Sequence, residues 1–436
     1  MTLSPLDSQL WMGLYNSPLA QVHLADKALL ASMVRVEIAL AHACEAYGMT
    51  PQGSGPAIES TLSGLKIDPA RLSSAASRDG VPVPGLLALL RDKLDAETAN
   101  ALHWGETSPD IIDTATVLCL RDFADAVLGE TNRLIDSIAL LAGQEALTVQ
   151  LARTRTQGAA PTTFGATLAS WGAGLVEASE TLASAANDLS NISLYGAAGT
   201  DAALGEMASE VRAHMANSLG VRADETPWHN LRDRIVVFGT AMASLAGQAG
   251  RIGGDLAFLA STGINEVKLA GGGASAMPHK VNPIGAEAAQ SLARFCAHLQ
   301  GALAESALHG AQRDGVAWGL EWLSLRPLCG AGAAAINNIE QAFATLQPNH
   351  DAMLANLQAM GPAALSESLT YRLAKSMPRS DARKAVTEAL KSGAPIETLQ
   401  TNHPDLNWES SDDWLAAAGR APAIAQSFAR SRGYQL

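Results

Sequence analysis

The chain has 436 residues and a formal net charge of −13, which calls for two or three domains rather than one globule and excludes nucleic acid or an anionic membrane as the main partner. Met1 to Ala20 lacks a basic, then apolar, then small-residue leader pattern, and no apolar run of transmembrane length occurs, so a soluble cytoplasmic protein is expected. Abundant Ala and Leu with only 5% aromatic residues point to an all-α fold.

Residues 1–102 read as a small helical domain. Ala25 to Tyr47 and Pro84 to Leu94 carry helical periodicity, and Thr50 to Gly64, rich in Gly, Ser and Pro, reads as a break between them. From His103 the apolar residues recur in heptads, first at Val117, Leu120, Ala124, Val127, Thr131, Leu134, Ile138 and Leu141. Leu231, Ile235, Phe238, Met242, Leu245, Ala249, Ile252, Leu256 and Leu259 repeat the pattern, and Leu168, Trp171, Leu175, Ala178, Leu182 and Leu189 follow it less strictly. Two more long helices are expected near 283–309 and 318–346. Seams of this length pack at shallow angles, so residues 103–350 are predicted to form a bundle of five long helices. Such seams often also join subunits, which predicts a homo-oligomer. Beyond Gly361-Pro362 the helices shorten, and 351–436 reads as a third helical domain with a polar loop from Asn402 to Asp413. Cys44, Cys119, Cys296 and Cys329 are far apart, form no Cys-x-x-Cys pair, and read as buried reduced thiols.

Chemistry-bearing residues gather where the long helices begin. Before the first, His103-Trp-Gly-Glu-Thr-Ser-Pro-Asp110 offers Ser108 as N-cap, Pro109 in the first turn and Asp110 at the positive end of the dipole. Free N–H groups beside the Thr107 and Ser108 hydroxyls suit a carboxylate, although Ser108 taken alone is an ordinary cap. Glu106 in that loop would repel an anion unless a base pairs with it. Before the second helix, Arg153, Arg155 and Gln157 precede Pro161 in a segment that suits an anion as readily as solvent. His229 lies at the start of the third helix and Arg313 before the fifth; Trp318 and Trp322, four apart, read as packing. The fourth helix follows Gly271-Gly272-Gly273, a run that must be loop. That loop carries His279 and Lys280 and ends at Asn282-Pro283, an expected cap, as a lid over a site would. A phosphate loop is excluded, because Val281 follows Lys280 and the Gly spacing is wrong. In an up-and-down bundle alternate helix starts fall at different ends, so these motifs can meet only if several subunits share each site.

Three segments resemble, in order, the signature regions of the fumarase/aspartase superfamily: HWGETSPDIIDT (103–114), ARTRTQGAAPTTFG (152–165) and GGGASAMPHKVNP (271–283). LYGAAGTDAALG (194–205), PWHNLRDR (227–234) and QRDGVAWGLEWLSL (312–325) are most similar to its 3-carboxy-cis,cis-muconate cycloisomerase branch. The resemblance implies a homotetramer with a twenty-helix core, active sites assembled from several subunits, no cofactor and no metal, and a small polycarboxylate substrate. It carries catalysis to Lys280 and substrate binding to Thr107, Ser108, Gln157, Asn282 and Arg313; Ser275, His279 and Arg155 are added as catalytic candidates, and His103 and His229 as substrate-binding candidates. Three positions depart from the superfamily pattern: Ala274 stands at the usual catalytic Ser, Arg155 at the usual second-signature His, and Glu106 at a small residue. Ser275, His279, His103 and His229 are then the candidates for proton transfer. A lyase acting on a succinate-type substrate, or a silent polycarboxylate-binding homologue, are the competing readings.

Overall fold

The computed structural model describes residues 4–273, 277, 279–409 and 411–435. Ala274 and Ser275, on which part of the predicted chemistry falls, lie outside the described residues.

Among the described residues the fold is helical with a few short strands, as expected. Helix α1 (Asp26–Ala46) opens the chain's core, and the five long helices follow as α2 (Ser108–Gln144), α3 (Phe164–Leu189), α4 (Asp233–Leu259), α5 (Ile284–Glu305) and α6 (Gly315–Thr345). Most of the heptad residues form their buried seams: Leu134, Ile138, Leu168, Phe238, Met242, Leu245 and Leu256 are all fully buried, whereas Leu231 lies before α4 and is 51% exposed. Helix α4 is long and apolar enough by composition to cross a bilayer, but 61% of its apolar window is buried within the fold, which is the signature of a core helix. The four cysteines are free and buried.

The chain forms two compact units, 1–130 with 178–247 and 291–337, and 131–177 with 248–290 and 338–436. Helices α2, α4 and α6 therefore start in the first unit, whereas α3 and α5 start in the second. This is the alternation predicted from the sequence. The first unit's core joins Met33, Leu40 and Ile58 to Ile111, Leu118 and Val211. The second holds a small core of Leu365, Leu369, Leu373, Val386, Leu399 and Trp408 on the short terminal helices.

Four local expectations are corrected. Ser54–Leu62 is a helix, because Gly55, where an added Cβ would lie 2.9 Å from the His42 ring, lets it pack tightly on α1. The segment before α3 is an antiparallel hairpin of β1 (Val149–Thr154) and β2 (Gln157–Thr163), with Thr154 opposite Gln157. Its two turn residues, Arg155 and Thr156, have φ of 51° and 67°. That is the two-residue hairpin geometry usually built from Asn-Gly, so the sequence carried no turn signal. Asn282 is not a cap: β3 (Gly272–Gly273) pairs with β4 (Val281–Asn282), and α5 starts at Ile284. Gly271 is required at the base of this ribbon, since a Cβ there would lie 2.2 Å from the Asn282 carbonyl oxygen. Ser108 is already helical, and the Thr107 carbonyl accepts from Asp110 N at 2.9 Å, which makes Thr107 the cap.

Candidate active site

In the first unit the first signature ties three other segments together. Asp110, Asp113 and Thr114, at spacings i, i+3 and i+4, share one face of α2. Asp110 accepts from the backbone N–H of Tyr195 at 3.1 Å and Gly196 at 3.0 Å, while Thr114 and Ser193 exchange hydrogen bonds of 2.9 Å. Burial pushes the Asp110 carboxyl up to about 6, although the Tyr195, Thr107 and Gly196 N–H groups oppose the rise. Arg232 donates to both oxygens of Asp113 at 2.9 and 3.0 Å and to both of Glu321 at 2.8 and 2.6 Å. Burial works to lower the Arg232 pKa, but the two carboxylates outweigh it and hold the guanidinium charged.

Beside this network lies a set of buried polar atoms without partners: both ring nitrogens of His229, Nε2 of His309, Nη2 of Arg313 and Nε1 of Trp318. Arg313 Nη1 is 3.9 Å from Asp113, and its guanidinium stands over the Trp318 ring at 5.0 Å. Trp318 also packs on Trp322, as expected, with ring centroids 4.5 Å apart. Burial lowers the pKa of His229 and His309, and Arg313 and Arg232 lower both further, which disfavours the charged imidazolium at both. Unpaired donors in a positive field are a receptor for carboxylate oxygens, since such groups are costly to bury unless a ligand satisfies them. His309 carries no sequence pattern that marks a site, and the spacing of Trp318 from Trp322 pointed to packing alone.

His103 lies in the same unit. Its Nδ1 is 2.8 Å from Glu37 Oε1 and 3.7 Å from Glu106 Oε2. The base that Glu106 was expected to need is thus close but not hydrogen-bonded, and both Glu106 oxygens are buried without a partner. Burial raises the Glu106 pKa well above the ordinary carboxyl range, and Glu37 and Asp110 raise it further. Below the unfolded-state value near ~4.3 both states hold the proton. Between that value and the raised folded one only the unfolded chain releases it, so stability falls as pH rises. Glu106→Gln is expected to melt with wild type near pH 4 and above it by roughly 2–4 °C at pH 8, the shift ~1 kcal/mol gives a mid-sized domain; calorimetry across that range checks this.

The second unit holds the remaining predicted residues. Arg155 and Gln157 are exposed at the tip of the β1–β2 hairpin, and His279 and Lys280 are exposed on the Gly-rich loop, where Lys280 N donates to the Met277 carbonyl at 3.0 Å. Asn282 is half-buried in β4. Arg153 is corrected: it pairs with both oxygens of buried Glu266, at 3.1 and 2.6 Å, and Glu266 also accepts from Gln150 and Asn356 at 2.8 Å each. Its charge is spent on holding the hairpin and is not offered to a ligand.

The sequence matches the family described as Lyase over residues 20–301. It is 35% identical to a 3-carboxy-cis,cis-muconate cycloisomerase of Bradyrhizobium diazoefficiens, over 84% of this chain and 83% of that protein. It is also 34% identical to a nitrosuccinate lyase of Streptomyces davaonensis, over 88% and 85% of the two chains. The fold superposes on the crystal structure of the 3-carboxy-cis,cis-muconate lactonizing enzyme from Pseudomonas putida with a TM-score of 0.89 and 27% identity, covering 98% of this chain and 99% of that one. Motifs, fold and relatives agree, and the chain belongs to the lyase family of the fumarase/aspartase superfamily.

Proposed function

We propose that the protein is a cycloisomerase that closes 3-carboxy-cis,cis-muconate to 4-carboxymuconolactone in protocatechuate breakdown, in the cytoplasm and without a cofactor or metal. The observation that carries this reading is the group of unpartnered donors on His229, His309, Arg313 and Trp318. A substrate with three carboxylates would satisfy such a set, and the full-length similarity to cycloisomerases supports the same substrate class. The reaction adds a substrate carboxylate across a double bond, which pushes charge into a neighbouring carboxylate as an aci-dianion. Fixed positive charge at that oxygen pair lowers the barrier. We assign that role to Lys280, with Asn282, Arg155 and Gln157 beside it, and substrate binding to Thr107, Ser108, His229 and Arg313. His279 and Ser275 remain part of the proposed loop chemistry.

The working form we propose is a homotetramer with a twenty-helix core and active sites shared between subunits. Val237 of α4, Phe295 of α5 and Leu323 of α6 support it, because they leave 52%, 41% and 75% of their surface exposed on bundle helices. Mixing the purified protein with 3-carboxy-cis,cis-muconate is expected to remove the conjugated-diene absorbance. A rate no greater than that of the Lys280→Ala variant would contradict the assignment. The similarity to a nitrosuccinate lyase favours a second reading, elimination from a succinate-type substrate, for which fumarate release is the diagnostic product.

A further inference from the structure

The cluster of Glu37, His103 and Glu106 is unsuited to anion binding as it stands, since two acids behind a carboxylate receptor repel the ligand. Glu37 interrupts an apolar stretch of α1 between Val36 and Ile38, and its side chain is fully buried. One oxygen meets the His103 ring and the other, Oε2, has no partner. His103 itself sits at φ 66°, a conformation that a residue with a side chain holds only when its surroundings enforce it. Its ring is largely enclosed, at 13% exposure, yet Nε2 makes no hydrogen bond among the described residues and is not sealed off. Thr107, one of the two hydroxyl residues of the proposed carboxylate receptor, lies four positions along the same loop.

We propose that His103 delivers the proton to the substrate carbon from Nε2 and that Glu37 is its positioning residue, fixing the ring and its tautomer. This rests on the cycloisomerase reading. The Glu37 carboxylate, 2.8 Å away, accepts Nδ1–H, which leaves Nε2 to carry the transferable proton. As the substrate carboxylate oxygen bonds to the ring-closing carbon, the π pair moves onto the neighbouring carbon and its carboxylate. That carbon forms its C–H bond as the Nε2–H bond of the imidazolium breaks, and neutral His103 regains a proton from solvent. One carboxylate becomes a lactone ester, so a trianion and one proton give a dianion.

The other histidine of the first unit's signature segments is less suited. His229 has no carboxylate on either nitrogen, and Arg313 and Arg232 oppose its protonation. Among the described residues, Glu37 of α1 and Glu106 of the same loop face His103; Cys44 of α1 lies near both acids, and Asp110 at the start of α2 lies near Glu106. Burial raises the Glu106 pKa, with Glu37 and Asp110 adding to the rise, which disfavours a second negative charge beside the Glu37–His103 pair.

The test is steady-state turnover of 3-carboxy-cis,cis-muconate from pH 5.5 to 9 by wild type, Glu37→Gln and His103→Asn. Glu37→Gln is expected to lose roughly 10²- to 10⁴-fold in kcat, the range for a positioned proton-transfer group, with KM changed only a few-fold. Glu37→Asp, which keeps a carboxylate at that position, should recover part of the lost kcat. If Glu37→Gln does not fold, His103→Asn, altered at a partly exposed ring, must show the kcat loss by itself. Wild-type kcat in either folded variant, or a loss confined to KM, would overturn the proposal. So would a stoichiometric divalent cation in the purified protein, since it would occupy the same oxygens and Nδ1. Absence of wild-type turnover would sink the cycloisomerase reading and this inference together, whereas wild-type turnover with unimpaired variants would sink this inference alone.

Discussion

Lys280→Ala is expected to lower kcat for 3-carboxy-cis,cis-muconate by about 10²- to 10³-fold, the cost of removing one preorganised group that faces developing charge. The developing charge is an aci-dianion, and an ammonium group placed at it stabilises the transition state more than the singly charged ground-state carboxylate. For that reason the loss should fall on kcat more than on KM. The side chain is exposed, and the loop is shaped by backbone pairing of Gly272 with Asn282 and of Gly273 with Val281. Truncation therefore leaves the fold and the ribbon intact, and thermal stability should stay within about 0.5 kcal/mol of wild type, as for ordinary surface changes. Activity within three-fold of wild type would remove Lys280 from the mechanism.

Asp113→Ala is expected to be the most destabilising single change in the first unit, at about 3–5 kcal/mol, because it breaks a buried ion pair and leaves the partner charge behind. Arg232 and Arg313 balance Asp113 and Glu321, so the four formal charges cancel in a region where Arg232, Asp113 and Glu321 are 1–2% exposed. Without Asp113 two guanidinium groups share one carboxylate. Urea unfolding at neutral pH, with the slope unchanged and the midpoint lowered, measures the effect. A loss under 1 kcal/mol would mean that the network is solvated or dispensable. The same network holds Arg313 near the unpartnered donors, so a folded Asp113→Asn protein should bind substrate more weakly even where stability is partly retained.

The fold was legible because its main features are periodic. A heptad seam such as Phe238-Met242-Leu245-Ala249 states both the helix and the buried face, and the alternation of helix starts follows from chain direction alone. The hairpin was not legible, because Arg155 and Thr156 adopt left-handed backbone conformations that their side chains disfavour. Tertiary context, including the Arg153–Glu266 pair, imposes that turn. The proposed site divides in the same way. Lys280, Asn282, Thr107 and Arg313 could be read from motifs, since their neighbours in sequence form a pattern. Glu37 could not: it lies 66 residues from His103, and its sole signal is a lone acid inside an apolar helical stretch. His309 and Trp318 became visible only as buried donors without partners.

The identity of the product tests the account most directly. Incubating the protein with 3-carboxy-cis,cis-muconate in D₂O and following the reaction by NMR should show 4-carboxymuconolactone carrying one deuterium on the carbon next to the newly formed C–O bond. Unchanged muconate under conditions where the protein is folded, together with fumarate release from a succinate-type substrate, would contradict it and place the protein among the eliminating lyases.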